Sequence, residues 1–470
     1  MIVLNKKSKK TLYLQIYEQF KEKIISGQLE EGSRLPSIRS LSDSLNISKN
    51  TVTYAYQQLC IEGYVANKTR SGFYIQEIDN HSFSLQDQNE TPTTPDILNC
   101  KPDAPRYKYD FQYGRLAPGD FPIRLWRKLS NQILSPANLD KLVSYPDRMG
   151  ETGLRTAIMK YLHNHRGVFC QPEQIVLCSG TPLSLSLLCQ LLKHEHSSIA
   201  MEDPGYDAAR IVFKNNGMNI IPIGLEKGGL NLNELEKSQA KIVYVTPSHQ
   251  FPTGEIMPIQ KRFQLLEWAA KNNSIIIEDD YDSELRYEGS PIPSIQNIDS
   301  KGQVIYLGTF SKSLSPALRL SYMVLSGEIH NKYQKAFQRY NTFVPWLDQK
   351  IVEAFIIQGH WEKHLRKVRL ANKKRHDILI HTINKTMGKN VIVHGKNAGL
   401  HVILEFKENL CEKKLIKKAK DHGVIVYPVS TFWIRQEQYK NEMLLLGFSA
   451  MTESDIVEGI NILNNAWFKN

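Results

Sequence analysis

Lys312 lies in YLGTFSKSLSPALRLSY, between Ser311 and Ser313, just after an apolar run that reads as a strand. Arg319 follows seven residues on. A pyridoxal phosphate (PLP) site needs a lysine amine for the internal aldimine and a cation for the phosphate. Placement in a loop after a strand exposes both groups at the carboxyl edge of a sheet, where such ligands bind. Taken alone, a lysine is far more commonly a surface charge.

Two further segments bear on that choice. IIIEDDYDSELRY ends a strand in carboxylates. A buried carboxylate beside a pyridine nitrogen keeps that nitrogen protonated. Asp279 is the candidate for this role, and Tyr281 for a hydrogen bond to the ring hydroxyl. The same run also suits a metal-binding cluster or a solvated loop. CSGTPLSLSLLCQLL joins a strand to a helix through Ser179, Gly180 and Thr181, with Pro182 in the first turn. Free amides at that helix start and the Thr181 hydroxyl would form a phosphate cup. Tyr206, in EDPGYDAAR, could stack on a flat ring. TPSHQFPTG places His249 and Gln250 near the same edge, and YPDRMGETGLRTAI could bring Tyr145 to a phosphate. A lone SGT or a lone tyrosine says little; the order of these segments along the chain carries the signal.

Positioning these groups requires a sheet. IVLCSG, SIAMED, IVYVTP, SIIIEDD and VIYLGTFS are short apolar runs separated by helical stretches such as KRFQLLEWAAKNN. That alternation predicts a mainly parallel α/β sheet within residues 109–470, with a smaller α+β subdomain from about residue 390. Residues 79–108 are polar, rich in proline and without period, which predicts a linker.

The first 78 residues form a separate unit. Leu12, Ile16, Phe20 and Ile24 share one helix face, closed by Gly27. Two short helices follow, the second capped by Ser48 and stopped by Gly63, and VANKTRSGFYIQ reads as a hairpin. Three helices and a hairpin make the winged helix-turn-helix plan, whose third helix presents its first residues to base edges. Those residues are Ser48, Lys49, Asn50, Thr51 and Thr53. Arg34 and Arg39 precede the helix, and Lys68 and Arg70 stand on the wing. Residues 1–78 carry 11 Lys/Arg against 7 Asp/Glu, which also suits an ordinary small domain with a solvated basic face.

Bulk properties exclude little. The chain has 470 residues, too many for one core, and a net charge of +11, which favours polyanionic partners without specifying any. Its six cysteines form no C-x-x-C pair and no metal-ligand spacing with histidine, so we expect a reduced compartment and no metal site. The N-terminal run lacks the form of a signal peptide, and no stretch approaches the ~18 apolar residues that span a bilayer. A cytoplasmic protein is expected.

LPSIRSLSDSLNISKNTVTYAYQQLCIEGYVANKTRSGFYI resembles the DNA-binding domain of the GntR family over about 65 residues. The remainder resembles fold-type I PLP enzymes of the aminotransferase class over about 360 residues. Together they resemble the MocR/GabR subfamily of GntR-type regulators. The resemblance implies Lys312 as the Schiff-base lysine, Asp279 as the pyridine partner and Tyr281 at the ring oxygen. It implies Arg319, Ser311, Gly180 and Thr181 on the phosphate, and Tyr206 stacked over the ring. It further implies a head-to-tail homodimer in which Tyr145 serves the neighbour's phosphate, and double-stranded operator DNA as a partner.

Two departures stand out. The arginine that holds a substrate carboxylate in aminotransferases aligns with Leu445, in MLLLGFS, and a leucine cannot clamp a carboxylate. Arg115 and Arg435 are the candidate substitutes. The usual Asn-Pro-Thr-Gly reads Phe251-Pro252-Thr253-Gly254. Three functions follow: a regulator that senses an amine or amino acid through a Lys312 aldimine, an aminotransferase with an accessory DNA-binding domain, or a regulator that senses PLP itself. Leu445 disfavours the second, leaving at most residual transamination.

Overall fold

The computed structural model describes residues 2–77, 107–289, 292–408, 410–440 and 442–469. The chain divides into two compact units, Met1–Ala104 and Pro105–Asn470. Of the linker expected over 79–108, all but Tyr107 and Lys108 lies outside the described residues.

The smaller unit consists of α1 (Leu12–Ile25), α2 (Ile38–Leu45) and α3 (Lys49–Ile61), then a hairpin of β1 (Val65–Lys68) and β2 (Gly72–Ile75). Serine caps set the starts of two helices. Ser37 accepts the Ser40 amide at 3.0 Å for α2, and Ser48 accepts the Thr51 amide at 3.2 Å for α3. Asn46 in the left-handed region ends α2 and turns the chain into α3. Tyr56 is fully buried at the centre, edge-on to Phe20 and Phe73, and its hydroxyl donates to the Pro36 carbonyl at 2.9 Å. The winged helix-turn-helix expected from the sequence is therefore present. Two features were not legible in the periodicity. Ile2 and Leu4 pack into the same core, ahead of the first helix, and Arg34 bridges Tyr74 as a third rung of the wing.

In the larger unit, the described residues form an eight-stranded sheet of β4 (Ile175–Cys178), β5 (Ser198–Asp203), β6 (Asn219–Glu226), β7 (Gly229–Leu230), β8 (Ile242–Val245), β9 (Ile275–Asp280), β10 (Val304–Thr309) and β11 (Ser321–Val324). Their spatial order is β4-β11-β10-β9-β8-β5-β6-β7. The run from β10 through β9, β8 and β5 to β6 is parallel, and β11 is antiparallel to both its neighbours. β4, β8 and β10 are buried along their whole length, as a sheet covered on both faces requires. This is the mainly parallel α/β sheet that the strand–helix alternation predicts.

A second sheet has the order β12 (Val391–His394), β13 (His401–Phe406), β16 (Met443–Gly447), β15 (Tyr427–Pro428). The helices His360–Met387, Glu412–Asp421 and Glu453–Phe468 contribute to its core. That core takes in more chain than the C-terminal stretch from about residue 390. Tyr109–Asp110 (β3) pairs with Val424–Ile425 (β14), and the fully buried Phe111 fills the core beside them. A two-residue strand has no period to detect. Lys108 joins the same region through Glu458, at 3.0 Å. Among the described residues no helix is long and apolar enough to cross a membrane.

Phe111 ties the start of the larger unit to its last sheet. Phe111→Ala should lower the stability of this unit by about 3–5 kcal/mol, the cost of a large aromatic cavity. Urea unfolding followed by tryptophan fluorescence would show the drop; an unchanged midpoint would mean the segment is not integral to the core.

Candidate functional site

β9 and β10 lie side by side and parallel, with Asp279 opposite Leu307. Both chains leave the sheet at the same edge, so Asp279 near the end of β9 and Lys312 just after β10 line one cavity. Asp279 is buried, and its Oδ2 accepts the Tyr244 hydroxyl at 2.6 Å. Its Oδ1 is buried with no hydrogen-bond partner. Burial pushes this carboxyl up to about 7, against the Tyr244 hydrogen bond that favours ionisation. A cation or a protonated ring nitrogen against Oδ1 would reverse that shift.

Lys312 is half-buried as a residue, but its amine lies deep, 4.2 Å from the centre of the Tyr113 ring. Burial brings its pKa down to about 8, although Asp282 and Asp279 pull the other way. Gly114 makes room for it: a Cβ there would lie 2.9 Å from Nζ. A lysine amine so placed is neutral, and so nucleophilic, in a far larger share near neutral pH than a solvated lysine, though most of it is still protonated at pH 7.

Thr181 begins the helix Thr181–Leu192, and Gly180 caps it at φ 85°. A Cβ on Gly180 would collide with the Arg319 guanidinium, so only glycine lets the arginine reach this helix start. Arg319 itself sits in the left-handed region, at φ 47°. The expected row of free amides is thinner than the sequence suggested. Gly180 donates to Cys178, Leu183 donates back to Gly180, and Pro182 has no N–H. The Thr181 amide and hydroxyl and the Arg319 guanidinium remain as anion donors. Ser311 completes this side of the cavity, its amide donating to Thr309 Oγ1 at 3.1 Å.

Tyr206 lines the cavity edge-on to Phe251, with ring centres 5.5 Å apart. Tyr281 lines it too, but its hydroxyl already donates to the His249 carbonyl at 2.9 Å. The acidic run does not converge. Asp280 pairs with Arg166 at 2.7 Å and Asp282 with His249 at 2.8 Å, while Asp279 turns to the cavity. Tyr145 is 86% exposed and is not brought to this cavity within the chain. Neither proposed substitute arginine reaches it. Arg115 pairs with Asp110 at 3.2 Å, and Arg435 pairs with Glu234. Leu445 is buried in an apolar cluster with Phe251, Tyr281, Ile403 and Val429.

Sequence reasoning missed Tyr113, Thr246, Thr309 and Pro316 as cavity residues. Tyr113 lies some 200 positions before Lys312, and no motif marks it. Thr246 follows β8 directly, so the carboxyl-edge rule could have found it.

Residues 118–463 match the family described as aminotransferase class I and II, and residues 12–75 match the bacterial regulatory proteins of the gntR family. The chain belongs to the MocR/GabR subfamily of GntR-type regulators. It is 41% identical to the uncharacterized HTH-type transcriptional regulator YdeL of Bacillus subtilis, over 97% of this chain and 96% of that protein. It is 28% identical to the probable rhizopine catabolism regulatory protein MocR of Rhizobium meliloti, over 99% and 96%. The Pyrococcus horikoshii kynurenine aminotransferase, solved with PMP, superposes with a TM-score of 0.70 at 28% identity, covering 77% of this chain and 91% of that one.

On the regulator's DNA-binding unit, the start of α3 divides into two kinds of residue. The Ser48 and Thr51 hydroxyls bond each other at 2.9 Å, and Thr53 Oγ1 donates to the Lys49 carbonyl at 2.9 Å. These hydroxyls serve the helix first, contrary to the sequence reading that offered all of them to bases. Lys49 and Asn50 are exposed, as are Arg34, Arg39, Lys68 and Arg70. Arg70 holds φ 63° at the tip of the wing, and Lys68 packs over the Tyr74 ring at 4.8 Å.

Two outcomes are expected. In the ligand-free protein, acetylation of Lys312 scored by mass spectrometry should rise with pH around a midpoint near 8, because the neutral amine reacts and burial lowers its pKa. A midpoint at the usual lysine value would show that the amine is solvated. Lys49→Ala should weaken DNA binding by about 1–3 kcal/mol and relax its sequence preference while leaving the midpoint of Lys312 acetylation unchanged. A shifted midpoint in that variant would contradict independent sites.

Proposed function

We propose that this regulator binds PLP in the Lys312 cavity and responds there to an amine or amino acid, as a cytoplasmic homodimer that reads operator DNA. The observation that carries the reading is the pairing of a buried, low-pKa lysine with a buried carboxylate oxygen that has no partner, in one cavity. Bound PLP supplies an aldehyde that exchanges between the lysine amine and amino groups from solution.

The chain's residues suit each part of that ligand. Lys312 holds the aldehyde carbon. Asp279 Oδ1 accepts a ring N–H, and a positive ring nitrogen keeps Asp279 ionised despite its burial. Tyr206 stacks on the ring. Tyr281 meets the ring oxygen by turning its hydroxyl from the His249 carbonyl, to which it donates at 2.9 Å without the ligand. Arg319, with Ser311, Gly180 and Thr181, takes the phosphate, and Tyr145 reaches the phosphate of the neighbouring protomer in a head-to-tail dimer. Arg34, Arg39, Lys68 and Arg70 meet DNA phosphates, and Lys49 and Asn50 meet base edges, with Ser48, Thr51 and Thr53 holding the start of α3 in register.

An incoming amine that took the place of Lys312 would free the loop after β10 from the cavity, and the small sheet would then close differently on the large one, changing the spacing of two winged helices. With Leu445 buried among apolar side chains, transamination is at most residual.

Lys312→Ala tests this directly. Duplexes selected by the wild-type protein from a randomised pool should still bind the variant, but no amine or amino acid in a panel should change its affinity. A full ligand response without Lys312 would overturn the mechanism.

A further inference from the structure

The cavity offers a ligand two cations and little else that is charged positively. Of the residues that line it, only Lys312 and Arg319 carry a cation. Arg319 is set against the helix start at Gly180, and Lys312 lies over Tyr113. The remaining wall is largely aromatic, formed by Tyr113, Tyr206, Phe251 and Tyr281.

Behind that wall the chain has placed no cation in reserve among the described residues. Arg210 donates to the Thr431 carbonyl at 2.7 Å and the Trp433 carbonyl at 3.2 Å. Arg435 and Arg115 are paired with Glu234 and Asp110. His401 packs against Tyr113 and Phe251, with ring centres 4.8 and 5.3 Å away. Its Nε2 donates to the Pro252 carbonyl at 2.9 Å, so its Nδ1 presents a lone pair, buried and unpartnered. Burial, with His249 close by, pushes this imidazole down to about 3, and it is uncharged. Leu445, Ile403 and Val429 complete the backing.

A carboxylate brought against such a wall would lose its water and meet no further cation, only neutral hydroxyls such as those of Tyr113 and Tyr206. An alkyl or aryl group would gain burial and aromatic contact. We infer that the ligand sensed at Lys312 is a primary amine with an apolar or aromatic body and no carboxylate. This inference rests on the sensor reading above and narrows its ligand class.

2-Phenylethylamine and L-phenylalanine differ only by the α-carboxylate, so they isolate the question. Each is titrated into the full-length, PLP-loaded protein, with the cofactor absorption and the affinity for a selected DNA duplex as readouts. The amine should half-saturate both changes at a concentration lower by about tenfold or more, the cost of desolvating a carboxylate that meets no further cation. Equal or tighter response to L-phenylalanine would overturn the ligand class and leave the sensor reading standing. If neither compound, nor any other amine, changes either readout while borohydride reduction still fixes the cofactor to Lys312, the sensor reading itself fails and the inference fails with it.

Discussion

Lys312 and Asp279 are held out of water at the ends of neighbouring parallel strands, and the larger unit is organised around that desolvation. Burial raises the Asp279 carboxyl to about 7 and lowers the Lys312 amine to about 8, so each group is displaced towards its neutral form. Such displacement is a cost to folding. The wholly buried strands β8 and β10 and the packed helices supply the apolar burial that offsets it. A ligand that brings a ring N–H to Asp279 and an aldehyde to Lys312 relieves both.

The parallel register explains why two residues 33 positions apart in the chain face one ligand. β9 and β10 run the same way, so their carboxyl ends open at the same edge. The helix start at Thr181 and the loops after β5 and β8 reach that cavity too, through Tyr206 and Thr246. The antiparallel β11 brings Arg319, which precedes it, back to that cavity. Glycine at 180 and 114 is then a steric requirement, since side chains at these positions would displace the two cations.

The DNA-binding unit solves a different problem with local means. Its helix starts are set by serine caps, and its core is centred on Tyr56. The cap at Ser48 consumes hydroxyls that might otherwise read bases, which leaves the long side chains of Lys49 and Asn50 to reach outward. A capped, rigid helix start with few projecting groups is a defined surface to offer a groove.

The sequence by itself determined the local units: the apolar period of α1, the caps at the starts of helices, the strand–helix alternation, and the lysine and carboxylate segments in order along the chain. These are legible because each depends on residues within a few positions of one another. Only the tertiary structure decided that Phe111 and β3 belong with the last sheet, that Tyr113 lies under Lys312, that Asp280 and Asp282 turn to Arg166 and His249 while Asp279 faces the cavity, and that Leu445, Arg115 and Arg435 leave the cavity wall without a further cation. Each of those outcomes joins segments tens to hundreds of residues apart. Their juxtaposition follows from strand register and core packing, which no local pattern of residue types encodes.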